Sequence, residues 1–265
     1  MGRIVRRHPY LQQREQRMRQ VKVASAVIVA ASVLGACQSS SKPAAKQPQP
    51  AAAAATPHAT DGFRDSFGVN KATLVSSGVA PYMDLRPGVT RTYKDEDTTL
   101  VVRVLNETRV IDGVTTRVVE EHEEEHGEIS EVSRNFFALD PATGDVYYFG
   151  EEVDIYKNGK VVKHEGAWQS GVGGAHFGLF ISGRPAVGDR FFNELAPGEA
   201  MDRFEVVSTS ERVETPAGAF EKCVQVRESS PLEKGGAPGG SKWFAPGVGL
   251  VKDDEVSLAS MSGPR

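Results

Sequence analysis

From residue 88 onward, apolar and polar positions alternate in short runs, and each run ends at a turn-forming pair. "TLVVRVLNETRVI" (99–111) is β-branched and alternating, Asp112-Gly113 supplies the φ > 0 residues of a tight hairpin, and "VTTRVVEE" returns. The same order recurs in "EISEVSRNFFAL", the turn "DPATG" (140–144), "DVYYFGEEVDIY", the turn Asn158-Gly159 and "KVVKHEGAW". A later block runs "DRFFNEL", "DRFEVVSTSERV", the turn "ETPAG", "AFEKCVQVRE" and "SKWFAPGVGLVKDDEVSL". No stretch of about 12 residues carries a 3.6-residue apolar period, and the helical candidates, near 61–76 and 197–203, are short. The pattern predicts an all-β domain of roughly ten antiparallel strands.

A weak internal repeat refines this. "SRNFFALDPATGDVYYFGEEV" (133–153) aligns, with a gap, against "SKWFAPGVGLVKDDEV" (241–256), and each follows a hairpin-forming segment. Two meander halves, about 88–165 and 188–258, joined by the Gly-rich segment 166–188, predict one strongly curved antiparallel sheet, a half-barrel or a sandwich over a single core. The β-rich domain is expected over 62–265.

The N-terminus is patterned differently. Residues 1–22 hold Arg3, Arg6, Arg7, Arg14, Arg17, Arg19 and Lys22 against one acid, Glu15, and an apolar run, Val23 to Ala36, precedes Cys37. Leu34-Gly35-Ala36-Cys37 resembles the lipobox of bacterial lipoproteins, which implies a signal peptide over 1–36, cleavage before Cys37, and membrane attachment through a diacylated, palmitate-bearing Cys37. An uncleaved anchor is the other reading. Translation from Met18 rather than Met1 would leave a signal of ordinary length. Residues 37–61, rich in Ser, Pro, Ala and Gln without an aromatic residue, read as a disordered tether. By resemblance to the sorting rule of enteric bacteria, Gln38 favours the outer membrane, facing the periplasm.

With Cys37 acylated, Cys223 has no partner, so the mature chain forms no internal disulfide. Cys223 alternates with Val224 and Val226 on the face of Glu221 and Gln225 and reads as a half-buried thiol. The net charge of −4, without a basic stripe, argues against a nucleic-acid partner.

Two stretches carry candidate chemistry. "EEHEEEHGE" (120–128) contains His122-Glu123-Glu124-Glu125-His126, the spelling of a zinc-protease H-E-x-x-H. That motif works on a helix, where residues i and i+4 share one face. Here six glutamates in nine residues exclude burial in a core, and the preceding "GVTTRVV" continues as a strand, which separates His122 and His126 by roughly 13 Å. On a strand His122, Glu124 and His126 share a face, so the metal expectation narrows to a divalent ion such as zinc, held by one histidine and Glu124 with help from another strand. The alternative is a solvated acidic hairpin end.

The second stretch, "HEGAWQSGVGGAHFGLFISG" (164–183), sets His164, Trp168 and His176 among glycines, residues suited to stacking and to close backbone approach. They are the candidate ligand-binding residues, against a reading of the loop as a crossover with Trp168 as a core plug. No G-x-S-x-G or phosphate-binding fingerprint occurs.

The segments "SRNFFALDPATGDVYYFGEEVDIYKNGKVVKHEGAW" and "ETPAGAFEKCVQV" with "WFAPGVGLVK" resemble a group of uncharacterised bacterial lipoproteins and secreted β-proteins, over roughly residues 80–258. The resemblance implies an antiparallel β domain and brings no activity or catalytic residues. At the level of architecture the chain is also similar to the curved sheets of periplasmic lipoprotein carriers, without the helices that cover their concave face. The functional expectation is an envelope lipoprotein acting as a non-enzymatic binding module for a small ligand or an envelope protein. The alternative is a metal-dependent hydrolase using His122, Glu123 and His126.

Overall fold

Tight turns set the architecture. Asp112-Gly113, His126-Gly127 and Asn158-Gly159 each place two successive residues at positive φ (49 and 79°, 52 and 81°, 53 and 70°), the geometry that joins twisted antiparallel strands with the fewest residues. The computed structural model describes residues 62–232 and 239–264; the signal peptide, Cys37 and the tether lie outside the described residues.

Strands β1 (Val79–Ala80) and β2 (Met83–Asp84) form a small separate ladder. β3 (Thr90–Lys94), β4 (Thr98–Ile111), β5 (Val114–Glu125), β6 (Glu128–Leu139) and β7 (Val146–Lys157) follow as a meander. β8 (Lys160–Lys163), β9 (Trp168–Gln169) and β10 (His176–Ile181) then pair in turn along β7. After β11 (Arg190–Phe192) and β12 (Glu194–Leu195) comes a second meander: β13 (Arg203–Thr215), β14 (Gly218–Ser229), β15 (Ser241–Ala245), β16 (Gly249–Asp253) and β17 (Val256–Ser262). The order across the sheet is β11-β13-β14-β15-β16-β17-β3-β4-β5-β6-β7-β10-β12, antiparallel throughout, strongly curved and nearly closed into a barrel-like shape. This is the expected all-β curved sheet.

The two ends of that order are neighbours in sequence. β11 pairs with β13 at one edge and β12 with β10 at the other, and Asn193 alone separates them. The closing segment is pinned by the N–H groups of Asn193 and Glu194, which both donate to the Asp202 carbonyl oxygen at 2.8 and 3.0 Å. A methyl group on Gly178 would collide with the backbone carbonyls of Asn193 and Phe192, so only glycine lets the segment cross β10.

Inside, Phe180 of β10 meets Phe137 of β6 edge-on (4.9 Å between ring centroids) and Phe244 of β15 (5.8 Å), linking the two meanders across the interior. Phe137 and Phe244 are matching positions of the sequence repeat. A second cluster gathers Tyr93, Val213, Cys223, Ala245, Val251 and Leu258, where the β13–β14 hairpin folds back and the Ala217 N–H reaches the Leu258 carbonyl at 3.0 Å. The stretch of residues 62–75 covers the other face of β6–β7: Phe67 packs on Tyr147 and Phe177, and Val75 pairs with Leu139. Both faces are therefore buried there, with Val118 and Val119, and Phe136 and Phe137, all nearly inaccessible. That is why "FFAL" and "VYYF" are unbroken apolar runs.

Three expectations are corrected. The helical candidates at 61–76 and 197–203 yield only a 3-10 turn at Lys71–Thr73, capped by Asn70. Backbone bridges from Arg64 to Phe191 and from Val75 to Leu139 hold the first of them extended. The Gly-rich segment 166–188 is no simple crossover, because it contributes β9 and β10 to the sheet. Cys223 is fully buried: Lys222 adopts φ 56° within a run of register shifts, and this bulge turns the thiol inward.

The seam is testable. Gly178→Ala is expected to lower unfolding stability by about 3 kcal/mol, since a backbone clash cannot relax as a side chain does. Gly68→Ala, with open space around it, should change the denaturant midpoint by less than about 0.5 kcal/mol equivalent.

Candidate functional site

The acidic run at 120–126 is strand through Glu125, and strand alternation takes the H-E-x-x-H spelling apart. His122 lies on the outer face beside Glu124, 3.6 Å from its carboxylate, in line with Val101 and Val132 on the flanking strands. In the next row Glu120 bridges Arg103 and Arg134 at 3.9 and 3.4 Å. Glu123 points the opposite way, is buried, and accepts a hydrogen bond from the Ser130 hydroxyl at 2.8 Å. His126 is not on the strand at all. It occupies the left-handed first position of the β5–β6 turn, donates its N–H to the Asp97 carbonyl, and sets its ring 3.1 Å from the Asp97 carboxylate. The expectation that His122, Glu124 and His126 share one face is thus corrected, because the strand ends one residue too early. Among the described residues no group of three or more His, Cys, Asp or Glu is arranged to hold a metal ion.

The six glutamates do not sit in a core: Glu123 alone is buried, Glu120, Glu121, Glu124 and Glu125 are half-buried and Glu128 is exposed, with Glu121 acting on the buried hydroxyls of Tyr93 and Tyr148.

The residues of the Gly/Trp/His stretch separate in the same manner. His164 is exposed and sits 2.8 Å from the Asp154 carboxylate. His176 is exposed at the start of β10, close enough to Asp112 for its charge to act there. Trp168 turns inward and is 6% exposed, its ring edge-to-face with Tyr148 at 5.4 Å and 78°. The β9 backbone lies tightly over Gly150, where a Cβ would strike the Trp168 carbonyl.

Tyr148 is the centre of what the fold brings together. Its ring stacks on Phe137 at 4.7 Å, and its hydroxyl donates to the Asn135 amide oxygen. Burial, then the carboxylates of Glu151, Glu194 and Glu121, hold the phenol well above its ordinary range, so it stays a protonated donor. Beside it the buried indole Nε1 of Trp168 has no hydrogen-bond partner, and at the seam the amide Oδ1 of Asn193 has none either. The sequence reading took "DRFFNEL" for a plain strand and missed Asn193. An amide in the middle of an apolar run was the available signal.

Outside the barrel, Asp112 accepts from Lys71 at 2.5 Å and from the Ser170 hydroxyl at 2.8 Å. Ser170, Asp112 and His176 do not make a catalytic triad: the serine bonds the acid directly and is itself buried, leaving no base to activate it. Burial pushes the Asp112 carboxyl up, but hydrogen bonds from Lys71 and Ser170 and the charges of Lys71 and His176 outweigh it and hold the carboxyl below its ordinary 3.8.

Compared with known protein families, with curated proteins and with solved structures, the chain finds no match. Fold and site together define a barrel-like antiparallel β domain with an aromatic interior and an acidic inner wall around Tyr148.

Two outcomes are expected. His126→Asn should stabilise the β5–β6 hairpin by roughly 0.5 kcal/mol, since Asn tolerates the left-handed turn better, whereas a metal-ligand role would show as destabilisation in a zinc-loaded melt. Asp112 contributes stability that is full above its unfolded value of 3.8 and is lost as pH falls through the lower folded one. Acid titration of Asp112→Asn should therefore show a flatter acid limb than the parent protein.

Proposed function

We propose that this is a lipid-anchored protein of the bacterial cell envelope whose β domain is a non-enzymatic binding module for a small ligand. The anchoring half is supported by Leu34-Gly35-Ala36-Cys37 and by the core-less tether over 37–61. Gln38 favours the outer membrane, with the domain facing the periplasm. The observation that carries the binding half is the buried aromatic and acidic cluster around Tyr148, with its unmatched donor on Trp168. Buried polar groups in native proteins are nearly always satisfied, so an unmatched donor beside aromatic walls is a place where a ligand supplies the missing partner. The side-chain geometry lends no support to a hydrolase built on His122, Glu123 and His126, whose groups face different directions.

Expression of the full chain in a bacterium fed an alkyne analogue of palmitate tests the anchor. The wild type should take up label and sediment with membranes, and Cys37→Ser should lose both. A wild type that stays unlabelled and soluble overturns the reading.

A further inference from the structure

We infer that Lys242 and Asp253 join through an intramolecular isopeptide bond, Nζ to Cγ, with Glu228 relaying the protons, so that β15 and β16 are covalently stapled inside the barrel. The inference is independent of the anchoring and binding readings.

The three residues meet on the inner face of the second meander. Lys242 is the direct partner of Asp253 in the β15–β16 ladder and of Val226 in the β14–β15 ladder, and opposed residues of an antiparallel pair point to one side. Glu228 is in the same way opposite Phe204 on β13. Val226 and Phe204 are fully buried members of the main core, which fixes that side as the interior. Lys242 Nζ lies 2.6 Å from Asp253 Oδ2 and 3.3 Å from Glu228 Oε2, and the Lys242, Glu228 and Asp253 side chains are only 14, 16 and 19% exposed. Asp253 Oδ1 is buried without a hydrogen-bond partner, and the Asp253 charge reaches the buried Tyr93 phenol.

An ion pair needs one acid, and this amine has two. Burial first, then the charges of Glu228 and Asp254, hold the Asp253 carboxyl above its ordinary 3.8 against the pull of Lys242. Of the two acids, Asp253 is therefore the one biased toward the protonated form that an amine attacks. Glu228, as carboxylate, takes one proton from the Lys242 ammonium, and poorly solvated surroundings favour the neutral amine and acid that result. Nζ then attacks Asp253 Cγ, forming the N–C bond. Glu228 gives its proton to the departing Asp253 hydroxyl, the C–O bond breaks, and water leaves. A second proton passes from Nζ to Glu228, which ends as the neutral acid beside a secondary amide. Nothing is oxidised or reduced, and no co-reactant is needed. The ladder holds amine and acid in contact, which replaces an encounter between separate molecules.

The test is a tryptic map of the full chain, purified in detergent and denatured before digestion. In an unlinked chain trypsin cuts after Lys234, Lys242 and Lys252. The bond blocks the cut at Lys242 and joins 235–252 to 253–265 as one branched peptide, lighter than its two parts by one water. The wild type is expected to show that peptide, with fragmentation placing the link between Lys242 and Asp253. Lys242→Arg, which keeps the positive charge facing Asp253, should lack it. Glu228→Gln should lose it too while near-ultraviolet circular dichroism shows the native fold. A wild type cut cleanly at Lys242, with both peptides at their unmodified masses, overturns the bond and leaves a buried ion pair. A peptide that has lost water but is still cut at Lys242 marks a succinimide at Asp253 and overturns it equally. Full linkage in Glu228→Gln overturns the relay. The bond itself is judged on the wild-type map, so a variant that fails to fold does not rescue it.

Discussion

The eleven strands from β13 round to β10 would leave two edges with unpaired backbone groups, and here six consecutive residues, Arg190 to Leu195, pair with both. Everything near the seam follows from that double pairing. The chain must cross β10 at contact distance, which leaves room only for glycine at position 178. The crossing residue cannot belong to either ladder, so Asn193 sends its N–H to Asp202 instead. A second closure, β17 on β3, brings residues 90–94 against 256–262. The first pairs segments close in sequence, 190–195 with 203–205 and 176–177, whereas the second pairs segments far apart, whose loop-closure entropy must be met by burial elsewhere.

The aromatic interior meets it. Phe180 stands between Phe137 and Phe244, and Tyr148 adds a stacked and an edge-on neighbour, each pair worth about 0.5–1.5 kcal/mol beyond the area it buries. Against this, one unmatched buried donor such as the Trp168 indole costs about 1–3 kcal/mol. The packing around it is large enough to carry that cost. An unmatched donor is therefore compatible with a stable barrel in the absence of ligand, a condition that any preformed binding site has to satisfy.

The hairpins were legible because their determinants are local: Asp112-Gly113 and Asn158-Gly159 name their own turn type, and alternation names the strands between them. The seam was not, because no local signal in "DRFFNEL" says that Phe191 and Glu194 pair with strands at opposite ends of a sheet. Between 164 and 183 the glycines read as letting backbone approach a ligand closely, whereas Gly178 marks a close crossing of the chain's own backbone that only tertiary structure reveals. Trp168 reads from the sequence as either a core plug or a ligand residue, and the structure buries it. What sequence could not supply was its direction, which separates it from His164 and His176. The His126-Gly127 turn was hidden in plain sight: the acid run drew attention to metal chemistry, while the x-Gly pair obeyed the same turn rule as its neighbours.

The glutamate run gains meaning from the same geometry. On a helix, "EEHEEEH" would present one mixed face; on β5, alternation divides it between two environments. Outside, Glu120 and Glu124 are matched to Arg103, Arg134 and His122, pairs too exposed to contribute much to stability but sufficient to keep the sheet surface soluble. Inside, Glu121 reaches toward Tyr93 and Tyr148, and Glu123 is held by Ser130. A carboxylate facing inward is costly unless a hydrogen bond compensates it, and the Ser130 hydroxyl does so for Glu123. The Tyr148 hydroxyl gives its proton to Asn135, and its oxygen keeps a lone pair with which it can still accept.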